Sequence, residues 1–203
     1  MGKNHSRGNL FVISGPSGTG KGTICAELVK EDGIDLSVSM TTGAPRPGEV
    51  DGKHYYFASR EEFLENIEKD NFLEYATVFD NMYGTPKDAV LKRLDRGHNV
   101  ILEIDVQGGL LVKKAMPEAI LVFILPPSNE VLRQRLEGRG TDSPEVIEKR
   151  LAGALNEIKL LGEYDYYVVN DDLATAIDEV KGIIRAEGQR VPAKVAPIVS
   201  RYE

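Results

Sequence analysis

A short apolar run at residues 10–14 leads directly into Gly15-Pro16-Ser17-Gly18-Thr19-Gly20-Lys21-Gly22-Thr23, and a helical pattern follows at 24–30. Strand, glycine-rich loop and helix in that order leave few folds open. Glycines let the main chain wrap an anion so that successive N–H groups point inward, and the helix presents its positive N-terminal end to the same charge. Lys21 is placed to reach the β- and γ-phosphates of a nucleoside triphosphate as a compact point charge. The hydroxyl that usually follows such a lysine is replaced by Gly22. Thr23 is therefore the expected source of a metal-facing hydroxyl, directly or through water.

The rest of the chain repeats this alternation. Apolar runs at 10–14, 100–104, 120–125 and 166–169 lack the polar alternation of half-exposed strands and read as strands buried on both faces. Amphipathic segments lie between them. Ser59-Arg60-Glu61-Glu62 is a capping box, Ser128 follows Pro126-Pro127 as an N-cap, and Ser143-Pro144 puts proline at a first helical position. Val146, Ile147, Leu151, Leu155 and Ile158 fall on one helical face, as do Ile177, Val180, Ile183 and Ile184. The expected fold class is α/β, a mostly parallel central sheet flanked by helices. Between Leu36 and Thr85 the rhythm changes, with strand-like pieces at 36–40, 55–57 and 72–79 around one capped helix. That stretch reads as an inserted α+β lobe.

The expected division is a core of 8–35, 86–132 and 151–187, an inserted lobe of 36–85, a short lid of 133–150 and a C-terminal tail of 188–203.

Charge and cysteine content narrow the function classes. The 203 residues carry 25 Lys+Arg against 32 Asp+Glu, a formal charge of −7. That balance argues against long-range attraction to nucleic acid or to an anionic membrane, so neither is an expected partner. Cys25 is the one cysteine, and with the scattered His5, His54 and His98 it assembles no zinc site. It reads as a small core residue, compatible with a reducing compartment. No apolar run is long enough for a signal-peptide core or a membrane span, and the expected location is cytoplasmic.

A phosphate loop alone says only that a nucleoside triphosphate binds. The narrowing comes from Ser37-Val38-Ser39-Met40-Thr41-Thr42-Gly43-Ala44-Pro45-Arg46-Pro47-Gly48-Glu49, followed by Gly52-Lys53-His54-Tyr55-Tyr56-Phe57. To these are added Phe72-Leu73-Glu74-Tyr75-Ala76, Tyr83-Gly84-Thr85, Glu103-Ile104-Asp105-Val106-Gln107-Gly108 and Leu136-Glu137-Gly138-Arg139-Gly140-Thr141. In the order of these motifs, from about Leu10 to Glu187, the sequence closely resembles guanylate kinase. The resemblance implies a P-loop three-layer fold and an ATP:GMP phosphotransferase that uses Mg²⁺ with ATP, its inserted lobe binding GMP and its mobile lid closing over ATP. It places Gly15, Pro16, Ser17, Gly18, Thr19, Gly20, Lys21, Gly22 and Thr23 around the ATP phosphates, with Arg139 and Asn170 also in the ATP site. Arg46, Tyr55 and Tyr83 are placed on the GMP phosphate, and Ser39, Glu74, Thr85 and Asp105 on guanine. Lys21, Arg135, Arg139 and Arg150 are placed around the transferring phosphoryl group, and Thr23 and Glu103 toward the metal. Which of Glu103 and Asp105 serves metal and which serves guanine stays open at this point.

The chemistry agrees with these assignments. Guanine's Watson–Crick edge offers two adjacent donors and one acceptor. A carboxylate such as Glu74 accepts from both donors, while a hydroxyl from Ser39 or Thr85 donates to the carbonyl. Adenine presents the opposite pattern, and a buried polar mismatch of that kind discriminates by roughly 10⁴-fold at a well-built site. Guanidinium groups bridging phosphate oxygens reduce the repulsion between two reacting anions.

One position departs from the pattern. The family's Thr-Thr-Arg-x-Pro-Arg stands here as Thr41-Thr42-Gly43-Ala44-Pro45-Arg46, so the first of two phosphate-gripping arginines is absent. A raised KM for GMP is the expected consequence. The gap also keeps a second class in view, a guanylate-kinase-like module that binds phosphorylated peptides; such modules usually have a degraded phosphate loop. A third reading, another nucleoside monophosphate kinase, is separated by base preference, which Glu74 with Thr85 directs to guanine.

Overall fold

A computed structural model of the chain describes residues 7–46, 48–78, 80–138, 140, 142–191, 195, 199, 200 and 202. The phosphate-loop strand β1 (Leu10–Ser14) is the middle strand of a five-stranded, all-parallel sheet. β7 (Asn99–Glu103) and β2 (Ile34–Leu36) lie on one side of it, β8 (Ile120–Leu125) and β9 (Tyr166–Val169) on the other. Parallel strands need crossovers, and helices supply them on both faces. Alternate residues of β1 divide the core accordingly. Phe11 and Ile13 join a cluster with Ile24, Cys25 and Leu28 of α1 (Lys21–Leu28) and Val180 and Ile184 of α7 (Leu173–Glu187). Leu10 and Val12 join the opposite cluster, with Val90 and Leu94 of α3 (Lys87–Asp95) and Val112 of α4 (Val106–Ala115).

The inserted lobe has its own four-stranded sheet in the order β4 (Tyr56–Phe57), β3 (Met40–Thr41), β6 (Asn81–Pro86) and β5 (Phe72–Val78). Its helix α2 (Arg60–Glu68) starts as expected, with the Ser59 side chain accepting from Glu62 N, a cap generally worth about 1 kcal/mol. The lobe's apolar support is small: Phe63, stacked on Phe72 with ring centroids 4.6 Å apart, and Met82. A third unit is the pair α5 (Asn129–Glu137) and α6 (Pro144–Ile158), joined by Leu132, Leu136, Ile147, Leu151 and Ala154. Ser128 and Ser143 cap these two helices with their side chains, and Pro144 opens α6. No described helix is long and apolar enough to cross a membrane.

Four expectations change. The run at 166–169 forms an edge strand, so Tyr167 is 62% exposed rather than buried on both faces. The piece at 36–40 is not one strand, because Leu36 ends β2 in the main sheet and Met40 begins β3 in the lobe. The strand expected at 100–104 runs one residue earlier, ending at Glu103. On α6 the buried stripe is Ile147, Leu151 and Ala154, facing α5, while Val146 and Leu155 remain exposed. The stripe's i, i+4, i+7 spacing is narrower than the apolar face of the sequence.

Candidate functional site

The loop from Gly15 to Gly20 is shaped by main-chain conformations that only glycine tolerates. Gly15, Gly18 and Gly20 have φ of 138°, 94° and 88°. A Cβ on Gly15 would run into the Ile124 carbonyl oxygen, and one on Gly20 into Asn170 Nδ2. Side chains lock the shape. Thr19, wholly buried, donates from Oγ1 to the Pro16 carbonyl at 2.9 Å. Asn170, 5% exposed, donates from Nδ2 to the Thr19 carbonyl at 2.7 Å, and its own carbonyl accepts from Arg135 Nη2 at 2.8 Å. A bonded path thus runs from α5 through the end of β9 to the loop.

Lys21, the first residue of α1, folds back over this loop and donates from Nζ to the carbonyls of Gly15 and Pro16. Burial lowers its pKa, opposed by the nearby carboxylates of Glu103 and Glu157. Glu103, at the end of β7, is open to solvent, yet the surrounding protein pushes its carboxyl upward. Its Oε1 lies 3.3 Å from where a Cβ on Gly22 would stand, so Gly22 leaves room for the acid beside the lysine. Thr23 is exposed in the first turn of α1. Arg150 reaches across from α6, with Nη1 3.5 Å from Ser17 Oγ and 3.4 Å from Asp142 Oδ2. Arg139 lies outside the described residues. Arg133, by contrast, is held by Glu148 between α5 and α6.

Beyond the end of β7, the turn into α4 brings Asp105 to the helix N-cap, where Oδ1 accepts from Gly108 N at 2.9 Å. Glu74 projects from β5 toward the same turn. A Cβ on Gly108 would lie 3.4 Å from Glu74 Oε2 and 3.7 Å from Asp105 Oδ1, which fixes the two acids as neighbours. Glu74 is 9% exposed and accepts from the fully buried Thr85 Oγ1 at 2.6 Å. Burial pushes the Glu74 carboxyl up, the Thr85 hydrogen bond opposes the shift, and the Asp105 charge adds to it. The Thr85 hydroxyl hydrogen is thereby directed at Glu74. Ser39 precedes the Met40–Gly84 pair, and the antiparallel register carried one residue further sets it opposite Thr85.

At the outer end of the lobe sheet, a pocket of about 70 Å³ is lined by Thr41, Gly43, Arg46, Tyr55, Asn81 and Tyr83, among others. The rings of Tyr55 and Tyr83 meet edge to face at 5.9 Å, and burial raises the Tyr55 pKa. The site residues expected from sequence thus form three groups: a glycine loop with Lys21, an acid pair, and a small polar pocket.

Sequence reasoning missed Glu157 and Tyr164. Glu157 lies on α6 near Lys21 and Asp105, and burial raises its pKa. Its signal was a carboxylate three residues beyond Ala154 on the stripe that α6 buries. Burial pushes the Tyr164 phenol up to about 12, and its ring packs edge-on against Phe123 at 4.9 Å, behind Ser14 and Asp105. Cys25 is fully buried, and burial pushes its thiol pKa upward.

The sequence model of the guanylate kinase family matches residues 7–187. The chain is 50% identical over 198 residues to a guanylate kinase of Clostridioides difficile (strain 630), covering 97% of each chain. It is 53% identical over 197 residues to one of Lactococcus lactis, covering 97% of this chain and 94% of the relative. A crystal structure of guanylate kinase from Anaplasma phagocytophilum superposes with a TM-score of 0.75 at 38% identity, covering 92% of this chain and 89% of that one. Glycine loop, acid pair and phosphate-sized pocket therefore sit on a fold and in a sequence that agree from end to end, and the chain belongs to the guanylate kinase family.

Proposed function

We propose that the chain transfers the γ-phosphoryl group of ATP to GMP, giving ADP and GDP. The observation that carries this reading is the buried Glu74–Thr85 pair beside Asp105. Glu74 presents acceptor oxygens to the two adjacent donors of guanine, and Thr85 acts by orienting Glu74. Ser39 supplies the hydroxyl for the guanine carbonyl, and Asp105 Oδ2 is the further acceptor left by the Gly108 cap. Arg46, Tyr55 and Tyr83 hold the GMP phosphate, 36–85 being the acceptor lobe.

ATP lies with its β- and γ-phosphates in the loop of 15–23. Lys21 leaves the carbonyls of Gly15 and Pro16 and moves onto the phosphates. A GMP phosphate oxygen attacks the γ-phosphorus in line, the bond to the β-bridging oxygen breaks, and ADP leaves with that electron pair. Positioning and charge stabilisation carry the rate, with no covalent intermediate on the protein. Arg135, Arg139 and Arg150 surround the transferred group, the last already within reach of Ser17. The segment 133–150 serves as the lid, with α5 and α6 crossing its limits from a core of 8–35, 86–132 and 151–187. Asn170 serves the ATP site by holding the loop.

The donors present fit Mg²⁺ arriving with ATP. Thr23 and Glu103 are hard oxygen ligands at the loop, and no group of three His, Cys, Asp or Glu among the described residues forms a dedicated metal cage. Mg²⁺ commonly draws its remaining ligands from phosphates and water. Thr23 and Glu103 would hold it from the protein side, where it would supply neutralisation of phosphate charge, and Asp105 would be left for guanine.

The test is a coupled assay of ADP formation from ATP with GMP, AMP, CMP and UMP in parallel. Turnover with GMP in clear excess over the others is expected. ATP binding without turnover on any acceptor would return the reading to a binding module, against which the intact loop, Lys21 and Arg135 now speak.

A further inference from the structure

Asn81 opens β6 and stands in the wall of the pocket that contains Arg46, Tyr55 and Tyr83. Its main chain is paired with Val78 in the β5–β6 ladder, and among the described residues its side chain makes no hydrogen bond. The side chain is half-buried, and its Cγ and Nδ2 each lie 3.4 Å from the point that a Cβ on Gly43 would occupy. The neighbouring threonine hydroxyls are engaged as acceptors and keep their own protons to donate. Thr41 Oγ1 accepts from Gly43 N at 3.0 Å, and Thr42 Oγ1 accepts from Met82 N at 2.9 Å. Thr41 Oγ1 also lies 3.4 Å from that point, held as an acceptor by Gly43 N, so among the described residues the Asn81 amide is the group bordering this space whose side chain makes no hydrogen bond at all.

A phosphate monoester entering this pocket brings three strong acceptor oxygens and about two negative charges. Among the described lining residues Arg46 is the single cation, Glu49 is a carboxylate whose Oε2 accepts from Arg46 N at 2.8 Å, and Tyr55 and Tyr83 offer phenol hydroxyls as donors. On the side of Gly43 no side chain projects. We infer that Asn81 is a specificity-determining residue of this chain, its Nδ2 donating to the acceptor phosphate on the side that Gly43 leaves open. The inference rests on the GMP-kinase reading, since it takes GMP as the molecule that brings the phosphate. It makes the grip on the acceptor one of a single guanidinium and neutral donors, with the amide standing where an arginine side chain from residue 43 would otherwise pass.

The experiment measures KM for GMP and for ATP, and inhibition by guanosine, for Asn81→Ala and Asn81→Asp, each in the parent and in a Gly43→Arg background. A hydrogen bond to a charged group sets the scale, so Asn81→Ala raises the GMP KM by about 10- to 100-fold, and Asn81→Asp by more through repulsion. KM for ATP stays unchanged. Guanosine inhibition also stays unchanged, because guanosine lacks the phosphate while sharing the base pocket. In the Gly43→Arg background the arginine supplies donors on the same side, and the effect of Asn81→Ala shrinks.

The role of Asn81 is overturned by an unchanged GMP KM in Asn81→Ala, by a proportional loss of guanosine inhibition, or by an effect of the same size in both backgrounds. A parent chain that turns over no GMP overturns instead the reading of the function, which separates the two failures.

Discussion

In the proposed reaction the glycine loop receives the donor phosphates and the lobe pocket the acceptor phosphate, and the two are built from different parts of the chain. In the loop, recognition is carried by the main chain, held by three positive-φ glycines and by buried bonds from Thr19 and Asn170. In the pocket it is carried by side chains on two short strands and their connections, over a cluster as small as Phe63, Phe72 and Met82. Glycine means opposite things in the two places. Gly15 and Gly20 are required, since a Cβ would collide with the Ile124 carbonyl or with Asn170. Gly43 is not: its φ lies outside the left-handed range, and its nearest neighbours would be at an ordinary 3.4 Å. A main-chain site resists substitution, whereas a side-chain site can lose a group and leave the fold intact.

The largest effect is expected at Lys21, the one charged side chain of residues 15–23. Lys21→Met is expected to lower kcat by about 10²- to 10³-fold, the usual cost of one preorganised charge donor, as measured in the coupled assay. Glu74→Gln comes next. It replaces one acceptor oxygen by a donor facing guanine and lowers kcat/KM for GMP by about 10²-fold, leaving KM for ATP in place.

The same variant has a pH signature. Burial holds the Glu74 carboxyl above its ordinary value of 4.5, so the folded chain binds that proton more tightly than the unfolded chain. The group therefore favours folding below 4.5 and loses that contribution as pH rises through the raised value. Glu74→Gln is expected to raise the thermal midpoint relative to the parent at neutral pH, with the gain vanishing below 4.5; a gain that grows on acidification has the wrong sign.

Gly43→Arg tests the acceptor side in the gaining direction. A restored charge-assisted contact is expected to lower the GMP KM by about 10-fold with little change for ATP, and equal GMP KM in both forms would remove position 43 from the phosphate site. The smallest effects sharpen the contrast between the glycines. Gly20→Ala forces a left-handed φ on a residue with a side chain, about 1–2 kcal/mol, and its Cβ also displaces Asn170, so the midpoint falls by at least about 2–8 °C in a chain of this size. Gly43→Ala restricts only the unfolded chain, about 0.4–1 kcal/mol, and raises it by about 1–3 °C.

The donor side was the more legible in the sequence for the same physical reason. Glycine spacing, Lys21 and the caps at Ser128 and Ser143 are local signals, decided by a few consecutive residues. Strand β2 was missed because three residues, one of them Asp35, give no periodicity to detect. The exposure of Tyr167 depends on strand order, and neither composition nor spacing records which strand is at the edge. Glu74, Thr85 and Asp105 were found through motif resemblance; the direction of the Thr85 hydroxyl toward Glu74 follows only from the pairing of β5 with β6. The bonds from Arg135 through Asn170 to Thr19 join residues far apart in the chain and had no local trace.

Cys25 gives the donor site a built-in clock. It is the only cysteine in the sequence, one turn into the helix that Lys21 begins, and it packs with Ile24 and Leu28 under the sheet. A fully buried, protonated thiol does not meet a reagent until α1 lifts away. With a thiol probe concentrated enough to outpace reclosing, the labelling rate is therefore the rate at which the loop's own helix opens. Any slowing of that labelling by ATP reads out, in seconds or hours, how firmly a bound triphosphate staples the helix to its strand.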